Sequence, residues 1–129
     1  MMNCPRCDTE VDEHEAGRET DAFVAKVVMG ELALLAPSPI YVGRFHWVRK
    51  GEWYLADGPK AVPYYSIDIA AAWEVVGRVN KGGHIVEIVN DMVAWSVTFI
   101  HVDEPEKKYT SDWRASLPVQ ICRAALKSV

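Results

Sequence analysis

Apolar residues recur with a helical period in three stretches of the chain and in short runs or alternation in two pairs of segments between them. In the first stretch, Glu19 to Gly30, the residues Phe23, Val24, Val27 and Val28 repeat at i, i+4 spacing, which predicts a helix with one buried stripe. Gly30 is placed to end it with a left-handed cap, a conformation glycine enters without a Cβ penalty. A second helix is expected from Ser66, whose hydroxyl can accept an otherwise unpaired N–H of the first turn, with Asp68 near the positive end of the dipole. Ile69, Trp73, Val76 and Val79 fall on one face, which predicts that this face is buried, and Asn80-Lys81-Gly82-Gly83 ends the helix. The third helix begins near Ser116, admits Pro118 in its first turn, and carries the stripe Val119, Cys122, Leu126 and Val129.

Two hairpins fill the intervals. Residues 41–49 and 52–56 are rich in aromatic and β-branched side chains and are joined by Lys50-Gly51. Residues 84–89 and 93–102 form the second pair and turn at Asn90-Asp91. Along its second arm Val93, Trp95, Val97 and Phe99 alternate with Ala94, Ser96, Thr98 and Ile100; both sets are apolar or small, which predicts cover on both faces of the sheet. Pro37-Ser38-Pro39 reads as a rigid connector, Asp57-Gly58-Pro59 opens a loop that runs to Pro63, and residues 103–112 read as a charged loop. The order α-ββα-ββα predicts an α/β chain of the layered α+β kind, residues 16–129, with three helices on a small, mainly antiparallel four-stranded sheet.

Composition narrows the class. A chain of 129 residues that is 50% hydrophobic and 25% charged suits one soluble domain with its own core. Lys26, Gly30 and Glu31 interrupt the best apolar run, and the N-terminus has no apolar h-region, so neither a membrane span nor a signal peptide is expected. Three cysteines, an odd number, argue against a disulfide framework and for a reduced, cytoplasmic setting. Residues 1–21 hold seven acidic and two basic side chains, whereas the remainder holds eleven acidic and twelve basic. An acidic arm, residues 1–15, on a nearly neutral body lacks the basic face of a duplex-binding protein, so nucleic acid is a disfavoured partner.

Three segments resemble one family. Asp21-Ala22-Phe23-Val24-Ala25-Lys26-Val27-Val28-Met29-Gly30, Tyr65-Ser66-Ile67-Asp68-Ile69-Ala70-Ala71-Ala72-Trp73 and Leu117-Pro118-Val119-Gln120-Ile121-Cys122-Arg123-Ala124-Ala125-Leu126 are similar to three helices of the phage ABA sandwich domains. The resemblance runs from about Glu19 to the C-terminus and departs at Val27, where the family pattern has Lys. It implies an α/β/α sandwich in a small phage or prophage protein, hence a host-cell cytoplasmic location, and it implies no established activity.

The candidate chemistry lies in two places. Cys4-Pro5-Arg6-Cys7 resembles one knuckle of a zinc ribbon, with His14 as a third ligand and Cys122 or a second chain to complete the tetrahedron. A second knuckle is missing, so two free thiols on a polar arm are the competing reading. The loops entering the second and third helices offer Tyr64, Tyr65 and Trp113 as flat platforms, with Lys60, Lys107, Lys108 and Arg114 nearby. Ser66 and Asp68 stand where helix N–H groups would meet an anion, and aromatics beside cations suit a nucleotide base and its phosphate. Against this, Trp47, Trp53, Trp73 and Trp95 read equally as core or subunit-interface residues. His14, His46, His84 and His101 show no metal-ligand spacing, and no hydrolase, P-loop or dinucleotide motif is present. The expected function is a non-enzymatic accessory protein, a homo-oligomer, that binds a nucleotide-like small molecule or a host protein and so withholds a host defence signal. The alternative is a zinc-containing scaffold that docks a protein or nucleic-acid partner through the arm.

Overall fold

The computed structural model describes residues 15–31, 33–37, 45–49, 52–55, 62–113 and 116–129. Helix α1, Arg18–Phe23, continues into a π-helical segment, Val24–Val28. The wider turn is closed by the Met29 N–H on the Val24 carbonyl at 2.9 Å and keeps Val24, Ala25 and Val28 together in the core. Gly30 follows with φ 72°, and the Glu31 N–H returns to the Ala25 carbonyl at 2.8 Å, so the expected glycine cap is present.

Helix α2, Ile69–Lys81, starts after Asp68, whose carboxylate accepts the Ala70 N–H at 3.0 Å. Its buried face is Ala72, Val75, Val76 and Val79. This corrects the expected stripe, because Ile69 and Trp73 are 48% and 54% exposed. The reason lies across the contact. Helix α3, Leu117–Lys127, packs along α2 and has Ala124 and Ala125 among its fully buried residues. Small and β-branched residues allow that close approach and an indole does not. Helix α3 is buried from Val119 through Leu126 on every side, Gln120 and Arg123 included, so Val119, Cys122 and Leu126 of the expected stripe are one of its packed faces, whereas Val129 lies past its end and is exposed.

Two three-stranded antiparallel sheets stand where the hairpins predict one of four strands. Strands β1 (Ala33–Pro37), β2 (Phe45–Arg49) and β3 (Glu52–Leu55) form the first. Strands β4 (His84–Asn90), β5 (Trp95–His101) and β6 (Lys108–Thr110) form the second. The additional strands escaped the pattern for different reasons. β1 runs directly into Pro37, and β6 has only three residues inside a charged stretch. What holds β6 is local: the Ser111 N–H donates to the Val97 carbonyl, the Val97 N–H donates to the Ser111 hydroxyl, and Thr98 meets Thr110 at 3.0 Å.

On the second sheet Val97 and Phe99 of β5, with Val86 and Ile88 of β4, face the helices. The opposite face carries Ile85, Glu87 and Val89, all exposed, so among the described residues the helical cover expected on both faces is found on one. No described helix is long and apolar enough to cross a membrane. Replacing Phe99 with Ala should cost about 3–5 kcal/mol by urea denaturation. Trp73→Ala should stay within about 0.5 kcal/mol, the reverse of the ranking a buried Trp73 would give.

Candidate functional site

Before α2 the side chain of Asp21, which has no exposed surface, joins two segments distant in sequence. Its Oδ1 accepts the Ser66 N–H at 2.8 Å and the Ser66 hydroxyl at 2.7 Å, and its Oδ2 accepts Arg18 at 2.8 Å. The Ser66 oxygen in turn accepts the Gly17 N–H at 2.9 Å. Ser66 is therefore not the cap of α2, as the sequence suggested; Asp68 takes that place, and Ser66 joins two distant segments. Arg18 also donates to the carbonyls of Val62 and Pro63, and its guanidinium lies 4.1 Å from the centroid of the Tyr64 ring. Burial pushes the Asp21 carboxyl above its ordinary value, and the Ser66 bonds and the Arg18 charge offset this only in part.

A second polar cluster anchors the approach to α3. Arg123, 2% exposed, donates to Asp112 at 3.0 Å and to Glu15 at 3.4 Å. Gln120 donates to the carbonyls of Trp95 and Asp112. Both loops singled out from sequence are thus fastened to one segment, residues 15–21: Ser66 through Gly17 and Asp21, and Asp112 through Arg123 to Glu15.

The expected ligand residues separate on this frame. Tyr64 and Trp113 keep exposed ring surface, and Asp68 is exposed at the start of α2. Tyr65 and Ser66 are buried parts of the core and of the Asp21 cluster. Lys60 and Arg114 lie outside the described residues, as do Cys4, Cys7 and His14. The Asp68 carboxylate occupies the first-turn amide of α2 with a negative charge, which opposes a phosphate at that end. Cys122 is buried in α3, and burial, then the charge of Asp21, raises its thiol well above the ordinary value. No group of three or more His, Cys, Asp or Glu able to hold a metal occurs among the described residues.

Sequence reasoning missed Arg18 and Asp21, and it missed the exposed series Ile67, Ile69 and Trp73 by placing part of it in the core. It also missed a cross-strand pair: His84 and His101 meet edge to face at 5.2 Å, next to Tyr109, and His101 Nδ1 accepts the N–H groups of Asp103 and Glu104. The two histidines lie seventeen positions apart and meet only through the hairpin register.

Asp21 gives a pH signature. A carboxyl whose folded pKa is raised is held protonated more firmly by the folded chain than by the unfolded one. Its contribution is therefore most favourable below the ordinary carboxylate range and is lost as pH rises through the raised value. The stability of the native chain relative to Asp21→Asn should then decline from acid toward neutral pH in urea denaturation at a series of pH values. A difference that grows with pH would mean that Ser66 and Arg18 outweigh burial.

No curated protein matches the chain, and no solved structure does. A family model, the phage ABA sandwich domain, matches residues 22–126. That span takes in the end of α1, the π-helical segment, both sheets, α2 and nearly all of α3, and the chain belongs to the phage ABA sandwich domain family.

Proposed function

We propose that this chain is a non-enzymatic phage accessory protein that acts by binding, and that its partner is a host protein seated on the start of α2. The observation that carries this reading is the exposed apolar series Ile67, Ile69 and Trp73, preceded by Tyr64. Ile69 and Trp73 are four residues apart and share one helix face. Large exposed apolar side chains gathered on a soluble domain mark an interaction surface, and Trp and Tyr are the residue types that dominate such contacts. The exposed Asp68 and Glu74 border the face and favour a partner with basic residues at its rim. A helix face suits a protein better than a small molecule, which needs concave walls. The cavity at the opposite end of α2 is lined by none of the expected ligand residues.

The test compares the native chain with an Ile69→Glu, Trp73→Glu double variant. A host protein captured by the native chain is purified and its affinity for both forms measured. The variant, altered only at exposed positions, should keep its thermal midpoint and lose at least about tenfold in affinity, equivalent to about 1.4 kcal/mol. Unchanged affinity overturns the reading.

A nucleotide-like ligand is the second reading, favoured by the Arg18 guanidinium stacked on Tyr64 and by the exposed Trp113. Cyclic and linear nucleotides should then raise the thermal midpoint as ligand exceeds Kd, following RT ln(1 + [L]/Kd), and Tyr64→Ala should abolish the rise. A flat response removes this reading and leaves the first in place.

A further inference from the structure

Strand β4 carries a second surface, independent of the start of α2. It bonds to β5 along one edge and to nothing along the other among the described residues. The bond from the Val102 N–H to the Gly83 carbonyl fixes the parity of the ladder. Ile85, Glu87 and Val89 direct their backbone groups to β5, so His84, Val86, Ile88 and Asn90 direct theirs outward. An open row of donors and acceptors on a seven-residue strand whose one carboxylate is Glu87 is a template for another strand.

The two ends of this strand are complementary. At one end Asp91 Oδ1 accepts the N–H groups of Val93 and Ala94 at 2.8 and 2.7 Å, and the Asp91 N–H donates to the Ala94 carbonyl at 3.1 Å. This turn holds Met92 and Val93 outward, 99% and 78% exposed. At the other end a cavity of about 250 Å³ opens among Val28, Val79, His84 and Val129, with Arg78 in its wall and the exposed Lys81 close by in sequence.

We propose that two copies of the chain pair antiparallel along β4 about a two-fold axis at Glu87, each lodging Met92 in the cavity of the other. One register pairs all seven residues: His84 with Asn90, Ile85 with Val89, Val86 with Ile88, and Glu87 with itself. It brings outward-facing groups against outward-facing groups, as antiparallel hydrogen bonding requires. It covers the exposed Ile85 and Val89 with each other. It also carries each turn past the partner's His84 to the partner's Gly82, where the cavity opens, and sets Asp91 beside the partner's Arg78 and Lys81. Parallel pairing would set turn against turn and cavity against cavity. The two Glu87 carboxylates meeting on the axis are the cost of this arrangement and its fingerprint.

Single cysteines test the register in a Cys4→Ser, Cys7→Ser chain. Across an antiparallel non-hydrogen-bonded pair Cα atoms lie about 4.5 Å apart, within disulfide reach. Glu87→Cys should cross-link under mild oxidation into a dimer of two 14.5 kDa chains, and Ile85→Cys, whose counterpart is Val89, should not. In sedimentation equilibrium Glu87→Gln should tighten the dimer several-fold, and Met92→Glu, at a fully exposed position, should dissociate it without changing the monomer's circular dichroism. A monomer at every concentration for both the native chain and Glu87→Gln overturns the proposal. So does equal cross-linking at 85 and 87, or a dimer indifferent to Met92→Glu.

Discussion

Asp21 takes Ser66 on one carboxylate oxygen and Arg18 on the other, and through those bonds the chain entering α1 is fixed to the chain entering α2. The carboxylate has no exposed surface, so its desolvation has to be offset by donors that are themselves held in place. Ser66 supplies two of them because its N–H and hydroxyl point the same way in the turn before Asp68. Arg18 supplies the third and spreads its remaining donors over the Val62 and Pro63 carbonyls, which carry no charge and add no repulsion. A segment of about five residues thus positions α2, and with it the exposed Ile69 and Trp73 face. Removing any donor leaves a buried charge under-solvated, which costs more than the lost bond alone.

Helix α3 imposes the second constraint. A helix packed on all sides must be narrow where a neighbour approaches closely, and α3 has the fully buried Ala124 and Ala125 for this. It must also satisfy any polar group it carries into the core. Arg123 does so by running its stem through the core and delivering the guanidinium to Asp112 and Glu15, both at the surface. Gln120 does so with its amide nitrogen, which bonds the Trp95 and Asp112 carbonyls, whereas its Oε1 is buried with no partner among the described residues. These polar side chains specify which loops lie against α3, something apolar packing alone leaves loosely determined.

Much of this was legible in the sequence where one local rule acts alone. Gly30 ends its helix in the left-handed region, Pro118 sits in the first turn of α3, and β4 and β5 form the expected hairpin, its turn running from Asp91 to Ala94, just past the expected Asn90-Asp91. The failures share a cause. The stripe through Ile69 and Trp73 rests on helical spacing alone, but a close helix contact selects small residues, so Ala72 beside the tryptophan marks the buried side. Ser66 satisfied the local rule for a cap, yet a partner forty-five positions away claimed its hydroxyl. β6 has three residues and no alternation, and it is held by Thr98 opposite it and by the bonds of the following Ser111 to Val97. Pattern reports what a segment can do by itself; these three are decided by what stands across from them.

The same distinction governs the candidate site. Residue types alone suggested a pocket of aromatics and cations with helix amides at its base. The fold takes Tyr65 and Ser66 into the core and places the Asp68 carboxylate on the amides, so the electrostatic part of that pocket is already used by the chain itself. Among the described residues, exposed apolar side chains gather at the helix face that starts α2 and along the open edge and turn of β4. A helix face presents side chains and no backbone, so it selects a partner by shape and rim charge. A strand edge presents backbone groups in a fixed repeat, so it accepts another strand, and a copy of itself is the one strand guaranteed to match its length. The two surfaces therefore ask for different kinds of neighbour, and nothing in the geometry of one obstructs the other.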